Sequence, residues 1–177
     1  GIIAIGLDQG DTLIEVKLTR GSLVENSEVK DPGDDVVLIT KGGMSIRFHE
    51  SDVRSMGRAA GGVRGISLEQ GDALVAAAVV VRDATLLVAS ENGIGKRTPF
   101  DDNDGPVYRV QSRGGKGIIT MKTNEKTGAV IGALTVRDND EIMLITTGGQ
   151  MVRTFVKDIR EAGRNTQGVK LINLEAG

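Results

Sequence analysis

Apolar and polar positions along this chain follow β rather than helical spacing. Val36 to Thr40 and Ile142 to Thr146 are short runs rich in β-branched residues, which read as strands buried on both faces. Each is followed by a glycine pair, Gly42-Gly43 or Gly148-Gly149, and Asn92-Gly93 takes the same place between them. These pairs predict two-residue hairpin turns. The strand after the turn alternates, which puts Ile46 and Phe48 on one side and Ser45 and Arg47 on the other. "GVRGISL" and "GVKLINL" predict a further strand behind a glycine-containing loop, and "ALVAAAVVV" and "AVIGALTV" a fourth. No long helix is predicted, although "HESDVRSMG" and "VKDIREAG" have room for a turn or two. The acidic stretch "GSLVENSEVKDPGDD" is expected to interrupt the first hairpin as an exposed loop.

The pattern repeats. The segment from Val36 aligns without a gap on the segment from Ile142 at a constant offset of 106, and Arg47, Asp52, Arg54, Gly57, Arg58 and Gly62 all recur identically. A weaker middle copy places Arg97 opposite Arg47 and Arg153, Arg113 opposite Arg58 and Arg164, and Gly117 opposite Gly62 and Gly168. That copy carries about five extra residues around "DDNDGP", and the opening "IIAIGLDQGD" resembles the end of one more copy. We divide the chain into a remnant at 1–11 and copies at 12–72, 73–128 and 129–177, all within one repeat domain. Four strands per period near 50 residues predict an all-β, propeller-like array of about three four-stranded blades plus a leading strand. Three blades are too few to close a ring, so open edges are expected to invite self-association, as an open arc or a dimer of half-rings.

Composition narrows the chemistry. The chain of 177 residues has no cysteine, which excludes disulfides and thiolate metal sites and fits a reducing, cytoplasmic compartment. The longest apolar run, Ala73 to Val81, is too short to cross a bilayer, so no membrane partner is expected. No signal peptide is visible, and opening on Gly1 rather than Met is expected of a fragment. His49 is the single histidine and lacks a metal-binding companion; no metal site is expected. The acid clusters "DDNDG" and "DNDE" lack the spacing of a calcium loop and read as turns. The net charge of −2 argues against a nucleic-acid partner, but it is unevenly spread. Residues 1–35 hold eight acids and three bases, leaving 19 bases against 16 acids in the rest.

The repeat turns single cations into rows. Arg47, Arg97 and Arg153 are expected on the outward face of a strand, and Arg58, Arg113 and Arg164 just ahead of a glycine turn, with Arg64, Lys96, Lys116 and Lys170 nearby. Such rows on a curved rim suit phosphate, through charge-assisted and bidentate bonds. The alternative is that these arginines bridge blades through Asp52, Asp158 and neighbouring carbonyls. Four aromatic residues, Phe48, Phe100, Tyr108 and Phe155, offer few stacking platforms, which favours duplex backbone over single strands. "SENGIGKRT" and "QSRGGKG" both fail the phosphate-loop pattern of nucleotide hydrolases.

"QSRGGKG", residues Gln111, Ser112, Arg113, Gly114, Gly115, Lys116 and Gly117, resembles the signature box QRRGGKG of the DNA gyrase A C-terminal domain. "GVRGISL", "ENGIGKRT", "GAVIGALTV" and "EAGRNTQGVKLINL" are similar to that domain's later blades. The resemblance covers nearly the whole chain apart from the acidic insertion. Ser112 departs from the box and removes one cation, and the copy falls in a late blade rather than in the first, which holds the family's essential box.

The resemblance implies a β-pinwheel whose strands are exchanged between blades, and which binds and bends duplex DNA around a basic rim. It implies a non-catalytic module that serves ATP-dependent negative supercoiling beside the rest of gyrase A and its partner, gyrase B. The cleaving tyrosine, the ATP and the magnesium then lie outside this chain, and Tyr108 in "PVYRVQ" does not match the cleaving motif. The corresponding C-terminal domain of topoisomerase IV and a propeller-like protein-interaction scaffold are the alternatives.

Overall fold

The computed structural model describes residues 1–21 and 23–174. Their regular structure is strand, interrupted by single 3-10 turns at Glu50–Asp52 and Val156–Asp158 where the sequence had room for helix. After a leading segment without regular structure, β1 (Leu23–Glu25) and β2 (Glu28–Asp31) form a small hairpin. Asn26 and Ser27 both take positive φ, as a tight primed turn requires. This corrects the expected acidic loop: the insertion is folded and lies ahead of the first hairpin rather than inside it.

The first blade is built on β3 (Asp35–Thr40) and β4 (Met44–His49), with β5 (Leu74–Val79) on the free side of β3. The second repeats this with β6 (Thr85–Ser90), β7 (Ile94–Pro99) and, later in the chain, β11 (Val130–Val136). The extra residues of the middle copy form their own ribbon, β8 (Asp101–Asp102) with β9 (Gly105–Pro106). The third hairpin is β12 (Glu141–Ile145) with β13 (Met151–Phe155).

The fourth strand of each complete blade arrives from the following copy. β10 (Ile118–Ile119) pairs with β4, and β14 (Val169–Lys170) pairs with β7. The sheet orders are therefore β10-β4-β3-β5 and β11-β6-β7-β14, while β12-β13 stands as a two-stranded sheet. The equivalent stretch of the first copy, "GVRGISL", is not a strand.

The hairpin turns differ from the two-residue form expected. Only the second residue of each pair has positive φ: Gly43 at 82°, Gly93 at 73° and Gly149 at 82°. Gly43, Gly93 and Gly149 each donate an N–H to the carbonyl three residues back, at 3.0 Å. That is a type I turn closed by a left-handed glycine. Glycine is needed here for space as well, since a Cβ at Gly43 would lie 2.2 Å from the Met121 carbonyl oxygen.

The core lies between blades. Val37, Ile39, Leu86, Val88, Phe100, Tyr108 and Met121 are buried between the first two, and Leu87, Val136, Ile142, Val156 and Ile159 between the second and third. Ile66 closes over Ile46 and Phe48 on the outer face of the first blade. The hairpin strands of the first two blades are thus largely buried on both faces. β12, expected to be so too, buries only Ile142 fully and leaves Met143 and Ile145 exposed, because no neighbouring strand covers it among the described residues.

Candidate nucleic-acid interface

The strand arginines do not face outward as expected. Arg47 is 9% exposed and Arg97 is 7% exposed. The Arg47 guanidinium donates from Nε to Asp35 (2.8 Å) and from Nη1 to Asp101 (2.9 Å) and to the Tyr108 carbonyl (3.1 Å). The backbone answers, with the Gln111 N–H donating to the Arg47 carbonyl at 2.8 Å. Arg97 repeats the device: Nε donates to the Ile159 carbonyl (2.7 Å), Nη1 reaches Asp138 (2.5 Å) and Glu161 (3.0 Å), and the Ala162 N–H donates to the Arg97 carbonyl (2.9 Å). Each arginine therefore clamps the chain arriving from the next copy. Arg153, on the third hairpin, is exposed and, among the described residues, pairs only with Glu141.

Lys96 is fully buried, contrary to its expected place on the rim. Its ammonium donates to the Gly163 carbonyl (2.5 Å), the Arg164 carbonyl and the Thr166 hydroxyl (3.1 Å) from beneath the 163–168 loop. Burial, with the Arg164 charge beside it, pulls its pKa down to about 8. Tyr108 is buried too, with its hydroxyl 2.7 Å from that of Thr120. Burial raises its pKa and keeps the phenol neutral.

The box is a strand-crossing loop. Gly114 and Gly117 are left-handed, at 81° and 77°, and a Cβ at Gly117 would lie 2.1 Å from the Ser45 carbonyl oxygen. The Gly114 N–H donates to the Gly65 carbonyl (2.6 Å), and the Ser67 N–H to the Gly115 carbonyl (2.9 Å). Arg113 is half-buried and donates to the Asp52 and Arg64 carbonyls, at 2.8 and 3.1 Å. Lys116 is exposed and faces Glu69 at 3.0 Å. Ser112 is exposed. Gln111 holds the neighbouring strand through its main chain, while its side-chain Nε2 is buried without a partner.

One copy later the arrangement recurs. Arg164 donates to the Ile119 carbonyl (2.9 Å), and the Lys122 N–H donates to the Thr166 carbonyl (2.9 Å). Arg58, Arg64 and Lys170 are exposed and, among the described residues, have no hydrogen bond or ion pair to their side chains.

Sequence reasoning missed a further row. Arg54, Arg109 and Arg160 stand four residues before Arg58, Arg113 and Arg164, so that every copy reads Arg-x-x-x-Arg. All three are exposed, and none has a side-chain partner among the described residues. The signal was the recurrence itself, since Arg54 and Arg160 are identical at the 106-residue offset. Among the described residues, no group of three or more acidic, histidine or cysteine side chains converges to hold a metal.

Blades joined by exchanged strands, with cations repeated along one edge, define a propeller-like pinwheel domain. The family described as DNA gyrase C-terminal domain, beta-propeller, matches residues 34–80, 84–137 and 140–177, and the chain belongs to it. The DNA gyrase A protein of Haloquadratum walsbyi is 46% identical over 177 residues, which cover 99% of this chain and 19% of that protein. The chain thus spans about a fifth of that relative's length. A solved DNA gyrase A C-terminal domain superposes with a TM-score of 0.81 at 29% identity, over 99% of this chain and 55% of that one. The C-terminal domain of DNA topoisomerase IV matches less well, with a TM-score of 0.72 at 25% identity, over 82% of this chain and 44% of that one.

Proposed function

We propose that this domain binds duplex DNA along its cationic rim and bends it, as the non-catalytic wrapping module of a DNA gyrase A protein. The observation that carries the reading is the recurrence, copy after copy, of exposed arginines beside a loop that crosses the neighbouring strand. Phosphates spaced along a curved duplex meet such a row through charge-assisted hydrogen bonds, without reading bases. Arg54, Arg58, Arg64, Arg109, Lys116, Arg160 and Lys170 supply the accessible cations, and Arg113 and Arg164 supply partly tethered ones. Arg47, Lys96 and Arg97 hold the blades together instead. The working partners are DNA, the remainder of gyrase A and its partner gyrase B in the bacterial cytoplasm. ATP, magnesium and DNA cleavage belong to those other parts. The gyrase assignment rests on the closer match to the gyrase domain than to that of topoisomerase IV.

Fluorescence anisotropy with labelled duplexes at several salt concentrations tests the reading. With about five to eight phosphate contacts, log Kd should change with log salt at a slope of about 4 to 7, nearly independent of sequence. A flat salt dependence would overturn it and favour a protein scaffold.

A further inference from the structure

The buried arginines are answered by carboxylates, and the buried lysine is not. Arg47 meets Asp35 and Asp101, and Arg97 meets Asp138 and Glu161. Lys96 donates to the Gly163 and Arg164 carbonyls and the Thr166 hydroxyl. Arg164, on the loop above it, donates to the Ile119 carbonyl. Among the described residues neither cation has a carboxylate partner. Burial and then the Arg164 charge lower the Lys96 pKa, so the two cations stand close together. Residues 162–170 contain no acid. The 163–168 loop therefore carries a positive potential that nothing in the fold neutralises.

Lys96 also sets the direction of the main chain. The Gly163 and Arg164 carbonyls turn inward to its ammonium. Their peptide bonds are trans, so the Arg164 and Asn165 N–H groups point away from Lys96. Neither N–H has an acceptor among the described residues, and Gly163 and Asn165 are exposed. A carbonyl that accepts from a cation polarises the N–H of its own peptide and makes it a stronger donor. The box loop is built differently. Ser45 and Gly95 are the equivalent partners of the incoming strands, so Ile46 stands where Lys96 does. The Gly114 N–H, the counterpart of that of Asn165, is taken up by the Gly65 carbonyl at 2.6 Å.

We propose that the 163–166 loop is a phosphate subsite, in which the Arg164 and Asn165 main-chain N–H groups hold one backbone phosphate of duplex DNA and Lys96 acts from beneath as a positioning residue. The subsite rests on the DNA-binding reading above and adds to it a contact made by main chain rather than by the cationic row. Two adjacent N–H groups suit the oxygens of a tetrahedral anion, as in backbone anion nests. The Lys96 and Arg164 charges add attraction that a neutral loop lacks. An apolar side chain at 96, such as the isoleucine under the box, would support the loop without the cost of burying a charge. A phosphate bound above the loop offsets that cost, because it supplies the anion that the fold does not.

Amide-resolved NMR of the 177-residue chain, titrated with a duplex at low salt and separately with inorganic phosphate, tests this. The Arg164 and Asn165 amide protons should move downfield as the duplex saturates, and inorganic phosphate should move the same two at far higher concentration. With duplex bound, the Lys96 side chain should titrate above its value of about 8, because a neighbouring anion favours the charged form. A lysine that only props up the loop would not respond. Lys96→Met should weaken duplex binding about fivefold and abolish both amide shifts. Should that variant disturb the loop, the amide and lysine responses of the parent still decide. Salt-dependent duplex binding with both amides unmoved would overturn the subsite and leave the DNA-binding reading standing. No duplex binding at all would overturn both. Amides that answer inorganic phosphate but not the duplex would make this a free-anion site and overturn its assignment to DNA.

Discussion

Arg47 and Arg54 belong to the same copy of the repeat and do opposite work. Arg47 is enclosed by Asp35, Asp101 and the Tyr108 carbonyl, and its charge serves to join two blades. Arg54 lies just past the 3-10 turn, exposed and with no side-chain partner among the described residues. Arg97 and Arg109 repeat the contrast one copy on. Recurrence of a cation therefore does not tell a clamp from a contact. What separates them is whether a strand from the next copy crosses over the side chain.

The largest effect should come from breaking a clamp. Arg47→Ala leaves the Asp35 carboxylate, itself 17% exposed, without its partner. We expect a loss of about 3 kcal/mol, and a fall in melting temperature of about 6–12 °C for a domain of this size. Duplex affinity per folded molecule should be unchanged. A variant that melts with the parent but binds DNA poorly would reverse the assignment.

The next effect should come from the free row. Replacing Arg54, Arg109 and Arg160 together by alanine should weaken duplex binding about a hundredfold, at about 1 kcal/mol per phosphate contact. The salt slope should fall by about three, with the melting curve unmoved. An unchanged slope would remove these residues from the interface.

Lys96 sharpens the comparison from the clamp side, because it is a buried cation held at a measurable cost. Folded, it binds its proton less tightly than in the unfolded chain, where its pKa is 10.5 rather than about 8. Between those values the unfolded chain carries more protons, so stability should rise with pH across that window. Urea melts should show a gain of about 2 kcal/mol between pH 7 and pH 9.5, and Lys96→Met should abolish it. An equal gain in the variant would assign the effect elsewhere.

The smallest effect tests the box. Ser112 is exposed beside Arg113. Ser112→Arg should tighten duplex binding about threefold, as one added surface contact would, and leave stability alone. Binding weaker than that of the parent would mean that this face of the loop does not meet DNA.

The strand-turn-strand units were legible because period-2 alternation and glycine turns are local signals. The 106-residue recurrence paired Arg47 with Arg153, but it did not show that Arg47 is enclosed and Arg153 exposed. The turn type was misread, because Gly42 and Gly148 promise two left-handed residues and the chain uses one. The acidic insertion was misread as loop, because its turn is Asn26-Ser27 rather than a glycine pair.

What the sequence by itself determined is the β class, the period, the family and the residues that recur. Those are properties of spacing along the chain, and spacing survives without coordinates. Only the tertiary structure decided which recurring cations are enclosed within the fold. Strand exchange brings Tyr108 to Arg47 and Gly163 to Lys96, partners 61 and 67 residues away. Burial comes from such distant chain and leaves no mark on the neighbours of the residue it covers.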